Sequence, residues 1–354
     1  MTSAESVTKV LDAWARNQGR ESKVEIGAVA RLAAPPHRAS FCAQTLLLTR
    51  RAMTVALTDP TIYLMRMVVV AVMVSFFGLI YKESSNDSNP QAPFRLFYLW
   101  WVLCLPPALG LVVVFVTNVE LKTVKTEVKN GMYSPLAYTL SGVLVQLPFM
   151  VLVALFAIVP AFAIGGWRFD HFGAFLLAFA VSMWAWESLA QLLALISNPI
   201  LGMLSYVGSW TAGILFCGLV FRGEDCIWPL RAFYYLLPLK WLFNATAWNI
   251  YMPARYDDAQ LCTPGTDPRC SNLGYYCANL TSLDCFGHTG AQVLETLHFS
   301  YDTLSSKDER AMDIAFILAF AVLLKTAYAY GVVRICRSSP KLQSSRRAGP
   351  KVSI

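Results

Sequence analysis

The sequence predicts an all-α membrane protein, and three observations lead to that prediction. Of its 354 residues, 56% are hydrophobic and only 14% are charged, whereas about a quarter of the residues in a soluble domain are charged. Apolar stretches close to the roughly 20 residues that cross a bilayer core recur along the chain. Five of the nine cysteines fall in one largely polar block between Cys226 and Cys285, which is typical of an oxidising compartment.

The first part of the chain precedes the membrane. Residues 1–38 are polar, mixed in charge and rich in proline near their end, so we predict a cytosolic linker. Residues 39–57 are apolar on one side and carry two adjacent arginines on the other. This pattern favours an amphipathic helix that lies in the membrane interface, although an ordinary surface helix has a similar pattern. Asp59-Pro60 is expected to end that helix.

Six membrane spans follow this helix. We place them at about 62–81, 96–118, 138–164, 172–197, 200–221 and 311–333. Lysine and arginine are concentrated in the N-terminal segment, in the loop after the second span and in a basic tail, 336–354. Because short basic segments stay in the cytosol, both termini are predicted to be cytosolic. The chain is therefore expected to be a multi-pass protein of the plasma membrane or an endomembrane.

An outer loop, 222–310, separates the last two spans. Its apolar beginning, 226–251, is interrupted by two prolines, which favours a re-entrant hairpin over a span. Sequons at Asn86 and Asn279 fall on the predicted outer side and predict glycosylation there. Cysteines spaced this widely are unlike a zinc site and favour disulfides, and an odd number leaves one for a second chain, for which Cys226 is the candidate. The cysteines concerned are Cys226, Cys262, Cys270, Cys277 and Cys285.

A short charged segment lies between the second and third spans. Thr117 and Glu120 fit a capping box, which predicts that a helix starts at Thr117. Gly131 is expected to end that helix, and Ser134 is expected to cap the next one, which Pro135 opens. From this pattern alone, a polar turn between two spans is an equally good interpretation.

Arg66, Glu187 and Lys325 are ionisable residues inside predicted spans. Arg66 is near the cytosolic end of the first span, so its side chain is expected to reach the interface. Glu187 lies near the middle of the fourth span and Lys325 near the centre of the last, where Lys325 is a candidate partner. A carboxylate at that depth is either a buried hydrogen-bonded strut or part of a transport path.

The sequence contains no recognisable catalytic constellation. The four histidines are scattered, and none accompanies a nucleophile at a useful spacing. No glycine is followed by lysine, so a phosphate-binding loop is absent from this sequence. We therefore expect no catalytic residue, no metal site and no ATP site on this chain, and nothing indicates a nucleic-acid partner.

Several short motifs occur in a fixed order along the chain. They are Thr58-Asp59-Pro60, Glu120, Glu127, Gly131-Met132-Tyr133-Ser134, Ala137-Tyr138, Gln146-Leu147-Pro148, Phe216-Cys217-Gly218-Leu219, Ile227-Trp228-Pro229 and Tyr234 to Trp241. In this order they resemble the membrane domain of ABC transporters of the G subfamily, the White and pleiotropic-drug-resistance type. Thr126 and Leu237 stand where that family has a basic residue and a serine. The largest departure is the missing nucleotide-binding domain, and a truncated gene product is the interpretation we favour over a subunit with a separate ATPase.

The resemblance implies roles for particular residues. It makes 39–335 the transmembrane domain of an exporter, 39–57 its connecting helix and 121–130 its coupling helix. The residues that would couple to the ATPase are Glu120, Leu121, Val124 and Glu127. Those that would line a substrate cavity are Ala108, Leu111, Val112, Phe115, Trp210, Thr211, Ile214 and Leu215, with Leu219 and Val220 as an apolar plug.

The resemblance also implies a function. The chain would be the transmembrane half of an ATP-driven exporter of sterols, lipids or drug-like molecules, completed by a second transmembrane domain, identical or different. ATP and magnesium would bind a nucleotide-binding domain, so whether the chain counts as an enzyme is open. The alternatives are an ATPase-free scramblase or regulatory partner of a full-length transporter, and a receptor-like glycoprotein.

Overall fold

The computed structural model describes residues 39–59, 63–266, 268–278, 280–281 and 284–337. The predicted linker 1–38, the sequon residue Asn279 and all but the first two residues of the predicted tail 336–354 lie outside the described residues. The chain divides into two compact units, Met1–Gln44 and Thr45–Ile354. The first contributes only residues 39–44 to the described part, and the second holds every helix discussed below except the first turn of the first helix.

The described part of the chain is mostly helical, as predicted. Its α-helices are α1 (Phe41–Thr58), α2 (Leu64–Ile80), α3 (Ala92–Ala108), α4 (Gly110–Lys129), α5 (Pro135–Gly165), α6 (Phe172–Leu193), α7 (Pro199–Leu215), α8 (Leu230–Leu236), α9 (Pro238–Tyr251), α10 (Gly290–Ser300) and α11 (Arg310–Arg337). Three short 3₁₀ helices occupy Lys82–Ser85, Asn89–Gln91 and Phe169–His171. Two strands, β1 (Ala259–Leu261) and β2 (Tyr275–Cys277), pair antiparallel in the outer loop.

The helices that could cross a membrane coincide with the predicted spans. Four helical segments of the described chain are long and apolar enough to do so, namely Asn89–Lys129, Pro135–Gly165, Phe169–Leu193 and Arg310–Arg337. Two shorter apolar helices, α2 and α7, fall on the predicted first and fifth spans. The protein is therefore an all-α membrane protein, as its composition predicts.

The second predicted span is interrupted at Leu109. Pro106 and Pro107 end α3 because proline has no backbone N–H to donate, and α4 begins at once with Gly110. Helix α4 then continues to Lys129, so the predicted helix start at Thr117 is wrong. Thr117 lies inside a continuous helix and its backbone N–H belongs to the helical ladder, so no unpaired donor remains for a cap.

The turn between α4 and α5 forms as the sequence predicts. Gly131 follows the end of α4 with a φ of 77°, which a side chain would oppose. The Ser134 hydroxyl then accepts a hydrogen bond from the Ala137 backbone N–H at 3.1 Å and caps α5. Pro135 occupies the first turn of α5, where its missing N–H removes no helical bond.

Helix α6 is at the centre of the bundle and packs against α11, α5, α9 and α4. Its buried face alternates small and aromatic side chains, such as Ala178 and Phe179, so that neighbouring helices approach closely. Helix α2 packs mainly on α5, where Tyr63 just before α2 stacks on Phe149 with ring centroids 4.1 Å apart. Most of the buried apolar residues of the chain form one core among these helices.

The predicted re-entrant hairpin is a pair of helices, α8 and α9, separated by the extended residue Leu237. Helix α9 packs against α11 and α6 and is largely buried. Beyond it, Asn89 fastens the outer loop to the connection between α2 and α3. Its side-chain oxygen accepts from the backbone N–H groups of Phe286 and Gly287 at 2.7 and 2.9 Å, and its amide donates to Asp258 at 2.6 Å.

Candidate substrate cavity and coupling segment

A buried ion pair joins α2 to α6. The Arg66 guanidinium donates to both carboxylate oxygens of Glu187, at 3.1 and 2.8 Å, and the two side chains are only 4% and 3% exposed. The expectation that Arg66 reaches the interface is therefore wrong. Helix α2 turns this side chain towards α6, and a bidentate guanidinium–carboxylate pair compensates both buried charges.

Lys325 of α11, the predicted candidate partner of Glu187, does not pair with it. Its ammonium donates instead to the side-chain oxygens of Gln146, at 2.6 Å, and Gln191. Both Glu187 oxygens are already bonded to Arg66. These side chains form a polar layer in the bundle, made of Arg66, Glu187, Lys325, Gln146 and Gln191. One side of the layer is an ion pair, and the other is a lysine hydrogen-bonded to two neutral amides. Gln146, which belongs to the motif that resembles the family pattern, had no predicted partner.

A cavity of about 510 Å³ opens beside this polar layer. It lies among α1, α4, α5, α6 and α11, and its walls are mostly aliphatic. Its inner end is formed by Gln146, Glu187, Gln191 and Lys325. Cavities of 300–1,000 Å³ with apolar walls and a few polar groups are typical of small-molecule sites.

The two predicted walls of the transport cavity lie side by side. Helix α7 packs against α4 and reaches α3, where the Tyr206 hydroxyl donates to the Pro107 carbonyl at 2.5 Å and the Trp210 indole N–H donates to the Cys104 carbonyl at 2.8 Å. These donors satisfy the hydrogen-bonding capacity of backbone carbonyl groups near the interruption between α3 and α4. Tyr206 approaches so closely that a Cβ on Gly110 would lie 2.2 Å from its hydroxyl.

The predicted wall residues remain accessible in the single chain. None of the eight is buried, and Val112, Phe115 and Thr211 are exposed. The predicted plug residues follow the end of α7, with Leu219 half-buried and Val220 46% exposed. Only Val112 and Phe115 also border the cavity beside the polar layer. The single chain thus presents one apolar face built from α4 and α7, and a separate cavity on the other side of α4.

The coupling segment at the end of α4 is fixed to α1 by Glu127. Both oxygens of this carboxylate lie 3.1 Å from an Arg51 guanidinium nitrogen, and one also accepts from the Tyr133 hydroxyl at 2.6 Å. Burial, together with this hydrogen bond, raises the pKa of Tyr133 well above its usual value, so the phenol stays a donor at neutral pH. Neither Arg51 nor Tyr133 was predicted as a partner of Glu127.

The apolar residues of the predicted coupling face point inward. Leu121 packs with Tyr328 and Val332 of α11, and Val124 is 3% exposed. Both side chains are therefore buried within the single chain, so the predicted contact with an ATPase would have to involve other residues of the segment. Glu120 remains exposed, and so does Met132 in the turn after α4.

The outer loop contains two disulfides, Cys262–Cys270 and Cys277–Cys285. Cys226 forms no disulfide within the described part of the chain. Asn86 lies on the surface in the connection between α2 and α3. The described residues contain no cluster of three or more side chains suited to a metal ion.

The described part of the chain is an apolar helical bundle with a ligand-sized cavity and a disulfide-bonded loop before its last helix. Residues 43–251, more than half of the chain, match the family of the ABC-2 type transporter, and the chain belongs to that family. It is also similar to ABC transporter G family member 1 of Petunia hybrida, with 27% identity over 176 residues. That match covers 48% of this chain and 27% of the relative, so the chain corresponds to about a quarter of the relative's length. The family match confirms the resemblance to an ABC-transporter membrane domain, and the similar relative is a member of the G family.

Proposed function

We propose that this chain is the transmembrane half of an ATP-driven exporter of hydrophobic or amphipathic molecules such as sterols, lipids or drug-like compounds. A second transmembrane domain, identical or different, completes the substrate cavity. ATP and magnesium act on a nucleotide-binding domain that works with this chain. Membership of the ABC-2 type transporter family supports the transport role.

Beyond family membership, the proposal rests on the uncovered apolar face that α4 and α7 form. Helices α4 and α7, which the resemblance assigns to the substrate cavity, lie next to each other and leave an apolar face uncovered. Apolar side chains such as Phe115, which is 48% exposed, stand on this face. A second copy of the face opposite the first would enclose an apolar cavity suited to flat, poorly soluble molecules.

The coupling segment supports a role for a partner ATPase. Through Glu127 and Arg51, any displacement of the end of α4 acts on α1 as well. Because Leu121 and Val124 are buried, we assign the contact to the exposed residues of the segment, Glu120 and Met132 among them. ATP binding would then shift the bundle between two states by pressing on this segment.

The orientation of the chain follows from the same proposal. The coupling segment and both termini face the cytosol, and the disulfide-bonded loop faces outward. Asn86 and Asn279 then carry glycans, and Cys226 bridges to the partner membrane domain. Glycan removal and non-reducing electrophoresis of the Cys226→Ser variant test these two modifications.

Transport in proteoliposomes tests the proposed function. The full chain is reconstituted with a nucleotide-binding domain supplied in trans, and efflux of a fluorescent sterol, a labelled phospholipid and a lipophilic dye is followed with and without ATP. We expect ATP-dependent efflux that Ala108→Trp or Thr211→Trp abolishes by filling the shared cavity. Leu323→Trp, on a 63% exposed position of α11, is the matched control and is expected to transport normally.

Two outcomes would contradict the proposal. Lipid movement that proceeds equally without ATP would support the scramblase alternative. Undiminished ATP-dependent efflux in both tryptophan variants would show that substrates do not pass between α4 and α7.

A further inference from the structure

The cavity beside the polar layer is separate from the proposed transport face. It shares Val112 and Phe115 with that face but has no α7 residue in its lining. Its walls come from α1, α4, α5, α6 and α11 of one chain, so it needs no second copy to be complete.

The inner end of this cavity holds a cation without a matching anion. An ammonium group has three donors, and Lys325 uses two of them on neutral amide oxygens. Among the described residues, no carboxylate forms an ion pair with Lys325, because Arg66 takes both oxygens of Glu187. Lys325 is only 7% exposed. An intramembrane charge of this kind is costly and usually marks a functional site.

The other end of the cavity has the opposite character. Carboxylates border it there, Glu120 and Glu127 among them, and Arg51 forms an ion pair with Glu127. An anionic group is therefore attracted to the end of the cavity that holds Lys325. Between the two ends the lining is mostly aliphatic, and Phe115 and Val119, both exposed in the single chain, border the cavity along α4.

We propose that this cavity binds a single-chain amphiphile with an anionic headgroup. The third ammonium donor of Lys325 bonds the carboxylate or phosphate oxygen, and the acyl chain lies along the aliphatic walls. The cavity volume of about 510 Å³ suits one chain.

Direct binding to the purified full chain tests this proposal. The protein is placed in nanodiscs of phosphatidylcholine, and saturable binding of tritiated oleate is measured in competition with oleyl alcohol and with oleoyl lysophosphatidic acid. Oleyl alcohol is expected to bind more weakly than oleate by on the order of tenfold or more, because it lacks the charge-assisted hydrogen bond. Stronger competition by the lysophosphatidic acid identifies a phosphate headgroup, and weaker competition identifies a carboxylate.

Two variants separate the headgroup from the chain. Lys325→Met is expected to weaken oleate binding by the same factor and leave oleyl alcohol unaffected, while Lys307→Met, at an exposed lysine outside the cavity, is the matched control. Gly142→Phe is expected to abolish binding of both ligands. A Cβ at Gly142 meets no atom within 4 Å, so this side chain enters the cavity without a clash and tests the site even where Lys325→Met fails to fold.

Equal binding of oleate and oleyl alcohol to the unaltered chain would overturn the proposal, and so would undiminished oleate binding by Gly142→Phe. Neither measurement involves ATP or an ATPase. The transport test uses Ala108 and Thr211, which do not border this cavity. Failure of the binding proposal therefore leaves the proposed transport function untouched, and the reverse is also true.

Discussion

The ion pair between Arg66 and Glu187 links α2 to α6, and removing one of its partners is expected to destabilise the bundle. Replacing Glu187 by methionine leaves a guanidinium that is 4% exposed without its two carboxylate bonds of 3.1 and 2.8 Å. Removal of one partner from a buried pair costs about 3–5 kcal/mol, because the remaining charge stays in a medium that solvates it poorly.

The double variant Arg66→Met with Glu187→Met removes both charges and supplies apolar side chains. Because no unpaired charge remains, we expect the double variant to be more stable than either single variant by about 2 kcal/mol or more. Unfolding by sodium dodecyl sulfate in mixed micelles, followed by circular dichroism, gives the free energies of the four proteins. The surface pair Arg168–Asp170, with nitrogen and oxygen 3.8 Å apart, is the control, and Asp170→Asn is expected to cost less than about 1 kcal/mol.

The reasoning is refuted if Glu187→Met costs no more than Asp170→Asn. It is equally refuted if the effects of the two single variants simply add in the double variant. Either result would show that the pair is solvated in the membrane-embedded protein and does not lock α2 to α6.

Three further predictions concern the coupling segment and two close contacts. Glu127→Arg is expected to abolish ATP-dependent efflux with little change in stability. The double variant that exchanges the two charges, Arg51→Glu with Glu127→Arg, is expected to restore part of the efflux. If the double variant restores none, Glu127 acts on the ATPase directly. Gly110→Ala is expected to cost about 1–3 kcal/mol in detergent unfolding, because its Cβ would lie 2.2 Å from the Tyr206 hydroxyl, and Tyr206→Phe in the same background should recover part of the loss. Thr289→Ala is expected to cost about 1 kcal/mol by removing the reciprocal cap of α10, which amide exchange in α10 would report as lost protection.

The sequence was most informative where a signal is local. Apolar length located the helices that can cross a membrane, because a bilayer imposes the same requirement on every span. Gly131 and Ser134 marked the turn after α4, since positive φ and an N-cap hydroxyl depend on neighbouring backbone alone. The spacing of the cysteines in the loop before the last helix favoured disulfides over a zinc site, although their pairing required the fold.

Local signals failed where a longer element overrode them. Thr117 and Glu120 have the spacing of a capping box, but the chain is already helical from Gly110, so the motif has no free donor to cap. Leu121 and Val124 recur at helical spacing, which shows that they share a face but not what that face meets. Tyr328 of α11 packs against Leu121 on that face, so part of the segment predicted to contact an ATPase is buried in the bundle.

Composition and local pattern thus determined, by themselves, that this chain is an all-α membrane protein with a disulfide-bonded outer loop. Only the tertiary structure decided which charges meet. Arg66 and Glu187 are separated by 121 positions and Lys325 and Gln146 by 179, and the rotation of each helix selects one partner from several candidates. The same packing left Lys325 without an anion at the end of an apolar cavity. The sequence could not show this, because the charge balance of a buried layer depends on which side chains reach it.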